Sequence, residues 1–548
     1  MSNHRTIYNR IYMYFFIMAV FDCDKHFESL SEYSSDRRIN ELIYEEHKYD
    51  SNEQNANIYS ENEIVINCND DKLKNFVDNT KSIKYVTINC FDINILDKLV
   101  TNNELFTLKI CSVYLNCGYD YFWKVVLKAT TLKCIVLKHM WIRDENHKQF
   151  YIPDDIINLK ELEIFFSWDE CEIAPANLFE LNKLKQLYIT AKKFSIPTSI
   201  KNLKNLKYFE YNCKYYGPKK NHTIIKTLPD EIFELDNLEV LIFSGCLLEK
   251  ISNKISNLKN LKYLSLPANK LKNMPSELSK CTNLEYLCVS SNEITDLPNT
   301  YSELKNLKCV LFYNCWNLEK IPSVIFDITS LLYLCVGYTK ISEIPNEISN
   351  LKKLKCIHAN QCNNLRDIPE SIYNVESLEF LSICSEHIRR ISSNISKLQN
   401  LKCLYLQQNK ITRLPETFGN LINLERLGLR GNIFHTIPEE ITSLKNLKVL
   451  YMDNTKLENI PKSIQNLVNL EKLWLLQNNI SEIPEELFNL KKLKDLDLQF
   501  NKFKKIPGKI IRLKMLESFC VDHDVKLPSV IKMLPNAKNF LGPYDKYY

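Results

Sequence analysis

Apolar residues recur along this chain on two interlocking periods. Within one unit, Leu401, Leu404, Leu406, Ile411, Leu414, Phe418 and Leu421 are apolar, with Asn409 set among them. The spacing restarts at Leu238, Leu261, Leu284, Leu307, Leu331, Leu354, Leu378, Leu401, Leu424, Leu447, Leu470, Leu493 and Leu516, in steps of 23 residues with two of 24. The alternation Leu404-x-Leu406 predicts a short strand with one buried face. Asn409 follows where the chain turns away, and its amide can replace ladder bonds lost at the corner. Leu414-Pro415 ends the extended stretch, and proline fixes φ for a helical turn. Phe418 and Leu421, three apart, share a face of that turn. No unit can cover its own apolar face, so stacked neighbours must. The pattern predicts a solenoid of parallel strands about 4.8 Å apart.

The same pattern divides the chain. Residues 1–60 lack it and form an N-terminal extension: an apolar run Ile11–Phe21, then a polar linker. Residues 61–230 carry it in worn form, with strands expected at Ile64-x-Ile66, Val86-x-Ile88, Leu108-x-Ile110, Ile135-x-Leu137, near Phe165, at Leu187-x-Ile189 and at Phe209-x-Tyr211. Residues 231–525 carry it cleanly, and residues 526–548 read as a C-terminal cap. Residues 214–226 read as a protruding basic loop. The Asn position is held instead by Cys315, Thr339, Cys362, Glu386 and Thr455; Cys and Thr can bond backbone more weakly, whereas Glu386 is too long to copy Asn. Ser252 and Ser392 replace the usual proline, and local irregularity is expected there.

The residue after each opening Leu alternates in sign: Glu239, Lys262, Glu285, Lys308, Leu332, Lys355, Glu379, Lys402, Glu425, Lys448, Glu471, Lys494, Glu517. Stacking makes these direct neighbours, so a ladder of mutually satisfied ion pairs is expected, each near the low end of about 0.2–1 kcal/mol.

Composition narrows the chemistry. A net charge of +5 over 548 residues gives no nucleic-acid reading. Glycine is scarce at 9, and the sequence contains no Gly-x-x-x-x-Gly-Lys, His-Glu-x-x-His or Gly-x-Ser-x-Gly. No cofactor and no metal site is expected. The 19 cysteines are odd in number and include no Cys-x-x-Cys. Cys309, Cys356 and Cys403 hold one slot at every second unit, about 10 Å apart and too far for a disulfide. Free thiols and a cytoplasmic location are expected. The run Ile11–Phe21 is too short to span a bilayer as a helix but has the form of a signal-peptide core, which leaves a secreted reading open.

Ile437-Pro438, Ile460-Pro461, Ile483-Pro484 and Ile506-Pro507, together with Leu-x-x-Leu-x-Leu-x-x-Asn, resemble the leucine-rich-repeat family. The short unit is most similar to its intracellular Ras-suppressor, Ras-scaffold and Scribble-type members. The resemblance implies an α/β fold: a right-handed leucine-rich-repeat solenoid, or horseshoe, with a parallel sheet on the concave face and short helical turns on the convex face. For function it implies protein binding.

Residues lying between the buried leucines face the concave side and are free to carry specificity. Aromatic residues and Arg are enriched in interface hot spots. The partner-binding candidates are Tyr405, Arg426, Gly428, Arg430, Tyr451, Asp453, Trp474, Asp495 and Asp497. Gly428 between Tyr405 and Tyr451 reads as a notch, and Arg426 and Arg430 beside it suit an acidic or phosphorylated segment of a protein partner. Arg430 and Asp453 share a slot on neighbouring strands, so a mutual ion pair is the competing account. Tyr263 and Tyr286 read equally as binding residues or as a self-stacking pair. The expected function is a non-enzymatic protein-binding adaptor or scaffold. The alternatives are a secreted or cell-surface receptor ectodomain, and an enzyme with an unrecognised catalytic N-terminal region.

Overall fold

The computed structural model describes residues 57–60, 63–66, 83–88, 93–102, 104–115, 117–142, 150–193, 196–213 and 225–535. The apolar run Ile11–Phe21 and most of the 214–226 loop lie outside them. Parallel strands follow in chain order from Glu63–Ile66 to Ser518–Cys520, each paired with the next. The architecture is a leucine-rich-repeat solenoid with one open sheet. Every strand expected in the worn region is present.

Two zones differ in how the chain returns between strands. In the earlier zone the strands are long, as in Thr107–Leu115, Cys134–Ile142 and Ile164–Ile173, and two returns are α-helices, Ile93–Asn102 and Tyr119–Val126. From Tyr263–Ser265 onward most strands hold three residues, and the returns are chiefly five-residue 3-10 turns led by proline. Register aligns identical positions: Leu404 pairs with Leu427, Leu427 with Leu450, and Leu450 with Leu473. All four are fully buried, each contributing on the order of 1.5–3 kcal/mol. This stack is the core.

Corners are closed by side-chain amides. Asn432 Oδ1 accepts from Ile411 N at 3.0 Å, and its Nδ2 donates to Leu406 O and Leu429 O at 2.8 Å. Asn269, Asn292, Asn409, Asn478 and Asn501 repeat the arrangement. Where Asn is replaced, Cys315 and Cys362 each donate Sγ–H to a carbonyl at 3.2 Å, and Thr339 and Thr455 donate at 2.7 Å. In the unit opened by Leu378, the structure puts Ser385 rather than Glu386 inside. The Ser385 hydroxyl donates to Asn409 Oδ1 at 3.2 Å, while Glu386 turns outward at φ 65°.

The expected irregularity at Ser252 and Ser392 does not occur. Each serine keeps the extended backbone of proline and caps the turn, accepting from Lys254 N and Asn394 N. Each hydroxyl also donates to a carboxylate of the preceding unit, Asp230 or Glu370. Serine thus holds the turn by capping the N–H two residues on, whereas proline holds it by fixing its own φ. The charge ladder forms along one edge of the sheet: Lys262–Glu239 at 2.9 Å, Lys308–Glu285 at 2.6 Å, Lys402–Glu379 at 2.8 Å, Lys448–Glu425 at 2.9 Å and Lys494–Glu471 at 2.8 Å.

Candidate protein-binding face

Strand alternation sends the leucines inward and the intervening residues to the opposite, concave face. The candidate residues fall into rows across the sheet. Tyr405 pairs with Gly428, Gly428 with Tyr451, Tyr451 with Trp474, and Trp474 with Asp497. Arg426, Val449, Lys472 and Asp495 form the row beside it. The nine candidates therefore sit on five adjacent strands and the turns that leave them.

The notch expected at Gly428 is not open. A Cβ at Gly428 would lie 2.6 Å from the Tyr405 ring and 2.6 Å from Gln407 Nε2. Both side chains have folded over the glycine, and Gly428 itself is buried. The glycine makes room for its neighbours instead of for a ligand. The exposed features are the rim and the aromatic pair beyond it. Arg426 and Arg430 are exposed. Tyr451 and Trp474 are half-buried, with centroids 4.7 Å apart and planes tilted by 49°. The indole Nε1 of Trp474 is buried without a hydrogen-bond partner, as is Nε2 of Gln499.

The carboxylates are more enclosed than the pattern suggested. Asp453 and Asp497 are 4% and 3% exposed. Asp453 Oδ1 accepts from Leu476 N at 3.1 Å, and Asp497 Oδ1 from Gln499 N at 3.1 Å. Burial pushes the Asp453 carboxyl up to about 6, against the Leu476 N–H bond and the Arg430 charge, with the Asp497 charge adding to the rise. Arg430 and Asp453 do not form an ion pair among the described residues. Its charge acts on Asp453 only at a distance.

Elsewhere on this face, Tyr263 and Tyr286 stack flat, centroids 3.9 Å apart and 5° from parallel, so each covers the other. His358 is buried with Nδ1 3.3 Å from Cys335 Sγ, and burial drops its pKa to about 3, so the ring is neutral. Gly337 accommodates that ring: a Cβ there would meet it at 2.8 Å.

Sequence reasoning missed a second cluster, on the long strands of the worn region. Phe166, Trp168, Tyr188 and Tyr208 face the concave side, with Phe166–Tyr208 centroids 5.8 Å apart and Trp168–Tyr188 4.9 Å apart. Glu210 lies beside Tyr188 in register and accepts a hydrogen bond from the Tyr208 hydroxyl. Its signal was present in Tyr208-Phe209-Glu210-Tyr211, where the outward residues alternate with the core pair Phe209 and Tyr211.

No group of side chains able to hold a metal occurs among the described residues, and no helix among them is long and apolar enough to cross a membrane.

Residues 229–337 and 384–479 match the leucine-rich repeat region family. A search of curated proteins found no match. Among solved structures, the chain is similar to a leucine-rich-repeat protein of Leptospira interrogans, with 25% identity, TM-score 0.55, and coverage of 79% of this chain and 99% of that one. It is similar to the plant peptide hormone receptor RGFR1 in complex with RGF2, with 27% identity, TM-score 0.53, and coverage of 77% and 67%. The Toll–Spatzle complex of Drosophila shares the fold at 17% identity and TM-score 0.56, over 90% of this chain and 69% of that one.

Proposed function

We infer that this leucine-rich-repeat protein is a non-enzymatic adaptor that holds a protein partner on its concave face, centred on Tyr451 and Trp474. The observation that carries the reading is the Trp474 indole: a half-buried aromatic whose Nε1 donor has no partner, packed at a tilt against Tyr451 and rimmed by Arg426 and Arg430. A buried donor left unpaired costs about 1–3 kcal/mol, which an acceptor on a partner would recover. Tyr, Trp and Arg are the side chains that dominate hot spots. Leucine-rich-repeat proteins generally bind proteins, and the plant relative is a peptide hormone receptor in complex with RGF2.

The two exposed guanidiniums suit an acidic or phosphorylated segment of the partner, and the enclosed Asp453 and Asp497 on the units flanking Trp474 disfavour its reaching further along the face. The test compares partners captured by the full wild-type chain with those captured by Trp474→Ala, Arg430→Ala and Lys448→Glu. A genuine partner is retained by Lys448→Glu and lost, or weakened by at least about 1–2 kcal/mol, in the other two. Equal capture by all four places the site elsewhere on the face.

We place the adaptor in the cytoplasm. Support comes from the thiols: Cys309, Cys356 and Cys403 occupy alternate strands with Tyr333 and Phe380 between them, a spacing that cannot be cross-linked. Glycan on Asn394 or Asn479 in the native protein would instead support the receptor-ectodomain alternative.

A further inference from the structure

The aromatic cluster on the long strands surrounds a carboxylate that forms no ion pair among the described residues. Tyr208, Glu210 and Asn212 alternate outward along Tyr208–Asn212. Tyr188 sits beside Glu210 on one neighbouring strand and Ile242 on the other. Phe166 and Trp168 extend the aromatic wall. Glu210 is half-buried, and among the described residues its one hydrogen bond comes from the Tyr208 hydroxyl to Oε2. The basic residues of the adjoining sheet edge are engaged elsewhere, Lys185 with Glu163 and Lys207 with Glu239. Lys138 lies over the Trp168 ring, 5.9 Å from its centroid. Two residues beyond Glu210 on the same face, Asn212 Oδ1 is buried without a hydrogen-bond partner.

These features share one complement. A carboxylate bonded only by the Tyr208 hydroxyl among the described residues, and an amide oxygen with no hydrogen-bond partner, one strand repeat of about 7 Å apart, are two acceptors on one face. Aromatic faces beside them carry the negative quadrupole that attracts a cation. An ammonium is a compact point charge and reaches one such acceptor. A guanidinium is a flat fork that stacks on an aromatic ring while its opposite edges donate in two directions. We propose that the bowl formed by Tyr188, Tyr208, Glu210 and Asn212 is a second recognition site on the concave face, one that takes an arginine side chain of an extended peptide. The half-buried Tyr208 ring carries the guanidinium with buried Tyr188 behind it, Glu210 supplies its counter-charge and Asn212, turning its buried amide oxygen outward, accepts from its far edge. The site is separate from the Trp474 region and does not depend on it.

Burial holds the Glu210 carboxyl up to about 7, opposed by the Tyr208 hydroxyl bond. The groups facing it are Tyr208 on its own strand, Tyr188 and Ile242 on its neighbours, and Tyr263 one strand further on. Binding is therefore measured at pH 8, with the carboxyl ionised. The full chain is titrated calorimetrically with acetyl-Gly-Arg-Gly-amide and with the same peptide carrying lysine or citrulline, which is isosteric with arginine but neutral. The expected order is arginine tightest, with at least a tenfold preference over citrulline. Glu210→Gln should abolish that preference, and Asn212→Ala should narrow the margin of arginine over lysine. Trp474→Ala and Arg430→Ala should change neither, which separates this site from the adaptor site. Thermal melts of Glu210→Gln at or above wild type exclude misfolding as the cause. Equal binding of arginine and citrulline peptides to wild type, no heat at millimolar arginine peptide, or an arginine preference that survives Glu210→Gln would each overturn the proposal.

Discussion

Gly428 shows how one residue can be placed correctly and misread. Its slot on the concave face, between Tyr405 and Tyr451, follows from periodicity alone. That Tyr405 and Gln407 lean into the space does not follow, because periodicity places Cβ directions and not rotamers. Gly428→Ala should destabilise the protein by about 1–3 kcal/mol, since a Cβ 2.6 Å from two side chains overpacks a closed site. A chemical melt reads this, and an unchanged midpoint would mean that Tyr405 and Gln407 move aside freely. Glu210 supplies a second test at this scale. Its carboxyl keeps its proton to about pH 7 in the folded chain, against an ordinary value of 4.5. Between those two pH values the folded state binds more protons than the unfolded state, so this group's contribution to stability falls as pH rises through the window. Glu210→Gln removes that slope. The variant should gain stability over wild type at pH 8 relative to pH 4, and a difference that is the same at both pH values would contradict the assignment.

At the scale of the repeat, the inward set was legible because each inward position must be apolar or capable of replacing a backbone bond. Leu427 is fully buried with leucines on both neighbouring strands. Lys448 and Glu425 form a 2.9 Å pair with side chains 47% and 39% exposed. Leu427→Asp puts an unpartnered charge into the shared core and should abolish cooperative folding around it. Lys448→Glu removes one screened pair and sets like charges together on a solvated edge, a change within about 1 kcal/mol. Thermal melts rank the two, and a larger loss for Lys448→Glu would reverse the assignment of inside and outside. Less legible were the substitutions within the motif. Ser252 and Ser392 keep the turn by capping it, and Ser385 takes the inside position that counting assigns to Glu386. In each case a small hydroxyl accepts from a backbone N–H two residues on, that of Lys254, Asn394 or His387.

Across the whole molecule, eleven successive strand pairings separate Tyr208–Asn212 from Lys472–Trp474, about 50 Å along the sheet at ordinary strand spacing. The regular units made the Trp474 end legible in the sequence. The other end was hidden because the worn units keep their inward pairs, such as Phe209 and Tyr211, while dropping the Leu and Asn landmarks that allow outward slots to be counted. A solenoid passes strain only between neighbouring units, so sites this far apart have no shared packing. A partner engaging both must present an extended stretch of at least about 15 residues, at the roughly 3.3 Å that each residue spans. For such a partner, the binding losses of Glu210→Gln and Trp474→Ala should add in the double variant to within about 0.5 kcal/mol, as they do for residues without common partners. A partner held at one site alone would lose affinity in a single variant only. A double variant that departs from additivity by more than about 1 kcal/mol would show the two ends to be coupled, against the independence that stacked units impose.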